Sequence, residues 1–314
     1  MVRDILLQIA QVATVVIFAP LLQGLILQWQ ERVQRAQGPG IWQPYRDLWK
    51  LFHKEIVVPQ TAGFIYWLAP ILAFTCMLTV PMLIPVLTSY PLPQSDMGDL
   101  LGGGFVLTLG AFMISLAGLD SGSAYGGIGS SRSVMLGILA EPTLILVFVG
   151  ITLLAKSMLP FVVNHLLVQQ PEVYWSPAHL FLVAAFFILL LVETDRLPIH
   201  SSTHIEVYMI EEARILEYSG PLLALLKWGS MMKQFILYTI FCNVLVLPWG
   251  LSYKGEALGV LGSLLALGLK FMLVSLVVVF VETAQSRLRY YRYQEPLAAS
   301  FLLAILAIVA NQVR

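Results

Sequence analysis

Residues 257–281 read ALGVLGSLLALGLKFMLVSLVVVFV, an unbroken apolar run with one lysine, Lys270, near its middle. A helix of ~20 apolar residues crosses the hydrocarbon core of a bilayer. A soluble helix presents one apolar stripe, not apolar residues all round. The stretch is therefore a membrane span, and the composition extends that reading to the whole chain. Of its 314 residues, 58% are hydrophobic and 11% charged, against ~25% charged in ordinary soluble domains. The net charge is zero, so there is no general basic field for nucleic acid. Cys76 and Cys242 stand singly inside apolar runs, without C-x-x-C or metal-ligand spacing, and read as small apolar fillers.

Working outward, eight candidate spans emerge: roughly 5–29, 65–88, 100–118, 134–155, 177–194, 228–250, 257–281 and 296–312. The expected architecture is an all-α integral membrane protein, a single bundle of about eight transmembrane helices. The first run is longer than the ~7–15 residues of a secretory h-region and reads as a span, not a removable signal. No fixed-period repeat or inverted duplication is visible. The glycine-rich GGGF at 102–105 and GGIGSS at 126–131 lack the strand–turn–helix context of a nucleotide loop and read as packing or loop glycines.

Basic residues are distributed unequally. Arg32, Arg35, Arg46, Lys50, Lys54, Arg132, Arg196, Arg214, Lys227, Arg287, Arg289 and Arg292 follow odd-numbered spans; Lys156 and Lys254 follow even-numbered ones, with Arg3 and Arg314 at the ends. Lys and Arg excess marks the cytoplasmic side, so both termini are expected outside. Within the first basic loop, IWQPYRDLWKLFHKE (41–55) places Ile41, Tyr45, Leu48, Trp49 and Phe52 near one helical face. It reads as an amphipathic helix on the membrane or on a partner, with Trp42 and Trp49 as interface anchors.

Charges within apolar runs are the candidate functional residues. Glu141 and Lys270 lie within spans, Lys233 in the first turns of the sixth, and Glu193 and Glu282 at cytoplasmic span ends. A charge at the bilayer centre costs at least ~2.5–3.5 kcal/mol, and such residues normally face a bundle interior or wet cavity. Lys270 lies about 20 Å along its run at ~1.5 Å per residue, and Glu141 is its expected partner or next station. The loop 195–227 adds Asp195, Glu206, Glu211, Glu212 and Glu217, with His200 and His204 among them. Clustered carboxylates raise one another's pKa, so this loop is a candidate proton-holding element. The spacing of His200, His204 and Glu206 matches no zinc pattern, and no metal is expected.

Several stretches carry a family resemblance: QRAQGPGIWQPYRDLWKLFHKE (34–55), FMISLAGLDSGSAYGGIGSSRSVMLGILAEP (112–142), ETDRLP (193–198), LEYSG (216–220), LLKWGSMMKQF (225–235) and KFMLVSLVVVFVETAQSRLR (270–289). In this order they resemble the membrane subunit of energy-converting (group 4) hydrogenase complexes. That group includes formate hydrogenlyase membrane subunit 4 and hydrogenase-4 component C. It shares a family with the complex I membrane subunit that joins the peripheral arm. GLDSGS, the E-P pair and the short RAQGPGIWQP loop are closer to the hydrogenase branch. One departure stands out: His200 occupies the place where the family usually has Asp, and the segment before LEYSG is about two residues longer.

The resemblance implies a non-catalytic inner-membrane subunit that docks a soluble redox arm and couples it to proton translocation. Glu141, Glu193, Lys233, Lys270 and Glu282 would form the relay. Asp195, Glu206, Glu211, Glu212 and Glu217 would form the acidic coupling loop, and Arg46, Lys50, Asp120, Arg132 and Arg196 would shape the docking face. Iron–sulfur clusters and a nickel–iron centre would reside in partner subunits, with antiporter-like subunits alongside. The alternative is the quinone-binding membrane subunit of an NADH dehydrogenase-type complex; a stand-alone secondary transporter is the third reading. The charge asymmetry predicts that cysteines placed in 30–64, 195–227 or 282–295 resist membrane-impermeant thiol reagents in intact cells. Labelling of all three from outside would reverse the orientation.

Overall fold

The computed structural model describes residues 2–35, 38–93, 98–194, 196, 211–253, 255–284 and 294–312. The elements are α1 (Val2–Val33), α2 (Gln43–Phe52), α3 (Phe64–Leu83), α4 (Leu100–Asp120), α5 (Ala124–Ala155), α6 (Pro160–Gln169), α7 (Pro171–Tyr174) and α8 (Pro177–Glu193). They are followed by α9 (Glu211–Ile215), α10 (Gly220–Thr239), a π-helix (Ile240–Val246), α11 (Ala257–Ala284) and α12 (Gln294–Gln312). Among the described residues seven helices are long and apolar enough to cross a membrane, and Pro177–Glu193 is a shorter apolar helix. These are the eight expected segments, and the chain is a multi-pass all-α membrane protein.

Inside a bilayer each backbone N–H and C=O must find a partner within the protein, and proline inside a helix frees the carbonyl four residues back. Three such carbonyls are taken up by side chains from elsewhere in the chain. Pro20 in α1 frees Val16, whose oxygen accepts the Trp228 indole N–H at 3.0 Å. The neighbouring Ile17 oxygen accepts the Tyr45 hydroxyl of α2. Pro70 in α3 frees the Tyr66 oxygen, which accepts the Tyr218 hydroxyl at 2.9 Å. Pro85, just past α3, leaves the Pro81 oxygen without a helical donor, and Gln11 supplies one at 2.6 Å while also reaching Ile84 O at 2.8 Å. Helix breaks thus become inter-helix contacts.

The two breaks on the α2 side organise the rest. Gly63 carries no side chain to cap α3, and Asp120, at the end of α4, accepts from Gly63 N at 3.0 Å and Tyr66 N at 2.8 Å. A Cβ on Gly63 would collide with that carboxylate. The Tyr66 ring stacks on Tyr218 at 4.1 Å, and its hydroxyl donates to Glu217 O at 2.8 Å. Burial, reinforced by Tyr66 and Asp120, drives the Tyr218 phenol pKa upward, so it remains the donor this contact requires.

Two boundaries differ from expectation. Ser123 caps α5 by accepting from Gly126 N at 2.9 Å, so α5 begins ten or so residues early and Arg132 lies within it instead of in a loop. The sixth span begins at Gly220, not near 228, and ends at Val246. Gly220 adopts φ +56° and abuts the Lys54 and Glu55 carbonyls, 2.8 Å from where a Cβ would stand. Only glycine fits there, so the SGP turn starts the helix. On α2, Pro44 and Leu48 are buried. Trp49, expected near the apolar face, is 69% exposed, as is Trp42 at 62%.

Trp228→Phe keeps an aromatic ring of similar shape but strands the Val16 carbonyl. An unsatisfied buried carbonyl costs about 1–3 kcal/mol, so the detergent unfolding midpoint is expected to fall by that equivalent. A midpoint unchanged from wild type would show that the proline break does not depend on this donor.

Candidate functional site

A cavity of about 740 Å³ opens between α1, α2, α3, α4, α5, α8, α9 and α10. Its polar wall includes Glu141, Glu193, Lys233, Arg196, Glu212 and Gln234. Glu193 is the last residue of α8, where a carboxylate faces the negative end of the helix dipole. Lys233, on α10, offsets this with an ion pair of 2.6 Å, both side chains being largely buried. Glu141 of α5 lies within electrostatic range of both. Gly137, one turn before it, borders its carboxylate: a Cβ there would stand in ordinary contact, 3.4 Å from Glu141 Oε1. Three of the five expected relay residues therefore share one cavity.

Glu282 occupies an adjoining position. It accepts from the Gln30 amide, and Gln30 Oε1 accepts from Arg196 Nη1 at 3.1 Å. Arg196 Nη2 donates to Gln23 Oε1 at 2.7 Å. Arg196 is buried at 7% exposure, so the residue expected on the docking face instead ties α1 to the end of α8.

Lys270 departs furthest from expectation. Its ammonium donates to Asn243 Oδ1 at 2.8 Å, not to Glu141. Asn243 sits in the π-helix, and its amide donates to Pro85 O at 2.8 Å and Val86 O at 3.1 Å. Asn164 of α6 donates to Asn243 O at 2.5 Å and Pro248 O at 2.9 Å. Lys270 also lies nearer a surface than its position along the run suggests, because the exposed Gly250 is beside it: a Cβ on Gly250 would stand 4.0 Å from Nζ. Asn243, Gln234, Gln30 and Gln23 were not singled out from the sequence. The signal was available in Asn243 and Gln234, which are amides within an apolar span.

Of the acidic loop, Asp195 and Glu206, like His200 and His204, lie outside the described residues. Glu211 lies in α9, and Glu212 lines the cavity. Glu217 contributes its carbonyl to Tyr66. The short α9 packs into α4 and α5 where a Cβ on Gly118 would stand 3.3 Å from Arg214 Cα, and one on Gly129 2.8 Å from Ala213 Cβ. Of the GGIGSS glycines, Gly126 and Gly129 are thus packing glycines, while a Cβ on Gly127 would meet nothing within 4 Å; Arg214 reaches Ser115 Oγ at 3.4 Å. Arg46 and Lys50 are exposed on α2, Arg132 is half-buried, and Asp120 is engaged as the α3 cap. No group of three or more metal-ligating side chains occurs among the described residues.

Lys233→Met and Glu193→Gln are each expected to lower the unfolding midpoint, since each removes one half of the largely buried Glu193–Lys233 pair. Together they should lower it less than the two single effects added. Strict additivity would show that the pair is uncoupled.

The family model described as NADH dehydrogenase matches residues 6–311. Hydrogenase-4 component C of Escherichia coli (strain K12) is 31% identical over 97% of this chain and 95% of its own length. Formate hydrogenlyase subunit 4 of the same organism is 31% identical over 98% of both. NADH-ubiquinone oxidoreductase chain 1 of Oncorhynchus mykiss is 30% identical over 96% of this chain and 90% of its own. A chain of the membrane-bound sulfane sulfur reductase, an archaeal respiratory membrane complex, superposes with a TM-score of 0.76 at 23% identity, covering 98% of each chain.

Proposed function

The chain belongs to the NADH dehydrogenase family, and on that footing we propose that it is the membrane anchor and proton-translocating coupling subunit of an energy-converting hydrogenase-type complex. The observation that carries this reading is the single cavity holding Glu141, Glu193 and Lys233, one wall of which is α2 through Pro44, Asp47, Leu48 and Leu51. A soluble redox arm seated on the exposed Arg46 and Lys50 would press on the helix that closes the charged site. Displacing α2 changes the solvation of the Glu193–Lys233 pair, and solvation sets which partner holds a proton. Intramembrane charges of this kind mark proton paths. The arm would carry the iron–sulfur clusters and a nickel–iron centre, antiporter-like subunits would lie alongside in the inner membrane, and the basic loops would face the cytoplasm. Glu212 brings the acidic loop to the same cavity, which suits a role between docking and relay.

A second reading, a quinone-binding subunit, draws on the cavity volume, which falls in the ~300–1,000 Å³ range of small-molecule sites. Inhibition of electron transfer by quinone-site blockers would favour it.

The test separates docking from relay. Arg46→Glu with Lys50→Glu should release the soluble arm from the purified complex while the subunit still inserts. Glu141→Gln should retain the arm and electron transfer but move at least tenfold fewer protons per electron in vesicles. Wild-type flux in Glu141→Gln, with the arm still bound after charge reversal, would overturn the proposal.

A further inference from the structure

The cavity and the Lys270–Asn243 site are separated by a seam between α10 and α11 that contains more polar groups than packing requires. Gln234 lines the cavity, and its buried amide nitrogen has no hydrogen-bond partner among the described residues. Tyr238 follows one turn deeper, on the same face. It is fully buried, and its hydroxyl has no hydrogen bond within 3.5 Å among the described residues, the Gln234 amide being the polar group next to it. It stands beside Gln234, within electrostatic range of Arg196 and Glu282 on one side and Cys242 on the other. Its ring packs edge-on against Phe271, the neighbour of Lys270, at 5.9 Å. Cys242, one position further, lies within range of Lys270. On α11, Ser275 follows Phe271 by one turn, on the same helical face. It too is fully buried, with an unpartnered hydroxyl among the described residues. Lys270 has three N–H donors, and among the described residues one is used, by Asn243.

Each unpartnered buried polar atom is a cost that Leu or Phe would avoid. Three of them occur on the two helices that carry or contact a buried ammonium, and an internal water typically makes about three hydrogen bonds to such groups. Gly250, exposed and at φ +90°, lies over Lys270, and a Cβ there would stand 2.9 Å from Ala266 Cβ and 3.9 Å from Lys270 Cε. The π-helix places Asn243 and Cys242 at this junction. Such distortions recur at functional sites.

We propose that this seam is a hydrated outlet: protons leave the charged cavity past Gln234 and Tyr238, reach Lys270, and exit beside Gly250 on the face opposite α2. The proposal rests on the relay reading above. At Tyr238 the phenol oxygen takes a proton from water on the Gln234 side as its own hydrogen passes to water on the Cys242 side. The hydroxyl ends with one proton and turns back before the next transfer. Lys270 releases a proton to the outer water and regains one from the seam. A phenol and an ammonium can exchange a proton but not a sodium ion, so the seam passes protons and not sodium.

The experiment uses the intact complex in vesicles, with electron transfer and proton movement measured together in Tyr238→Phe, Lys270→Met and Glu193→Gln. Tyr238→Phe removes one hydroxyl and keeps the ring, so assembly and electron transfer are expected unchanged and the unfolding midpoint no lower than wild type, while protons moved per electron fall tenfold or more. Lys270→Met should do the same to proton movement. Wild-type flux in Tyr238→Phe or in Lys270→Met, with Glu193→Gln impaired, would overturn the outlet and leave the relay standing. Wild-type flux in all three would overturn both. A second readout is independent of turnover: Lys270→Cys with Cys242→Ser should react with a small impermeant thiol reagent only from the Gly250 face. No reaction from that face would place the exit elsewhere.

Discussion

A bilayer offers no water to a stranded carbonyl, and the architecture of this protein follows from that constraint. Its helices are interrupted by proline at Pro20 and Pro70 and ended by Pro85, and the acceptors these leave are taken by Trp228, Tyr218 and Gln11. Each donor comes from a different segment than the break it serves, so local defects specify which helices are neighbours. The apolar residues cannot do this alone, because a leucine is as well solvated by lipid as by another helix.

The same contacts hold the charges in place. Trp228 and Lys233 lie on one helix, little more than one turn apart. The indole that repairs α1 therefore also sets the height of the ammonium that meets Glu193. Tyr218 and Asp120 fix the start of α10 against α3 and α4 from the other side. A buried ion pair persists only in good geometry, and here that geometry is borrowed from backbone repair in the surrounding helices.

The apolar runs were legible because length and composition suffice to define a span. Their ends were less so. Gly220 starts α10 because two carbonyls press on it, and α5 begins early because Ser123 caps it; both depend on what lies nearby in space. The intramembrane charges could be located in the sequence, and Glu141, Glu193 and Lys233 do share a cavity. Lys270 was paired in expectation with the other deep charge, Glu141, but its partner is the uncharged Asn243. Charge is conspicuous in an apolar run, whereas an amide held by a π-helix is not. For the same reason Gln30, Gln23 and Tyr238 drew no notice. The freed carbonyls themselves are readable, four residues before each proline, but their donors are tertiary facts.

The anchoring of α2 has a consequence for how the protein is made. Tyr45 reaches the Ile17 carbonyl of α1, and Phe52 packs against Trp228, ring to ring at 6.0 Å. Helix α2 is thus bound into the membrane bundle by contacts that are complete once α10 is inserted. The position of α2 therefore comes from within the bundle, through contacts that this chain alone supplies. Order of synthesis then matters: α2 emerges well before α10, so Phe52 finds its ring partner only when the later helix arrives.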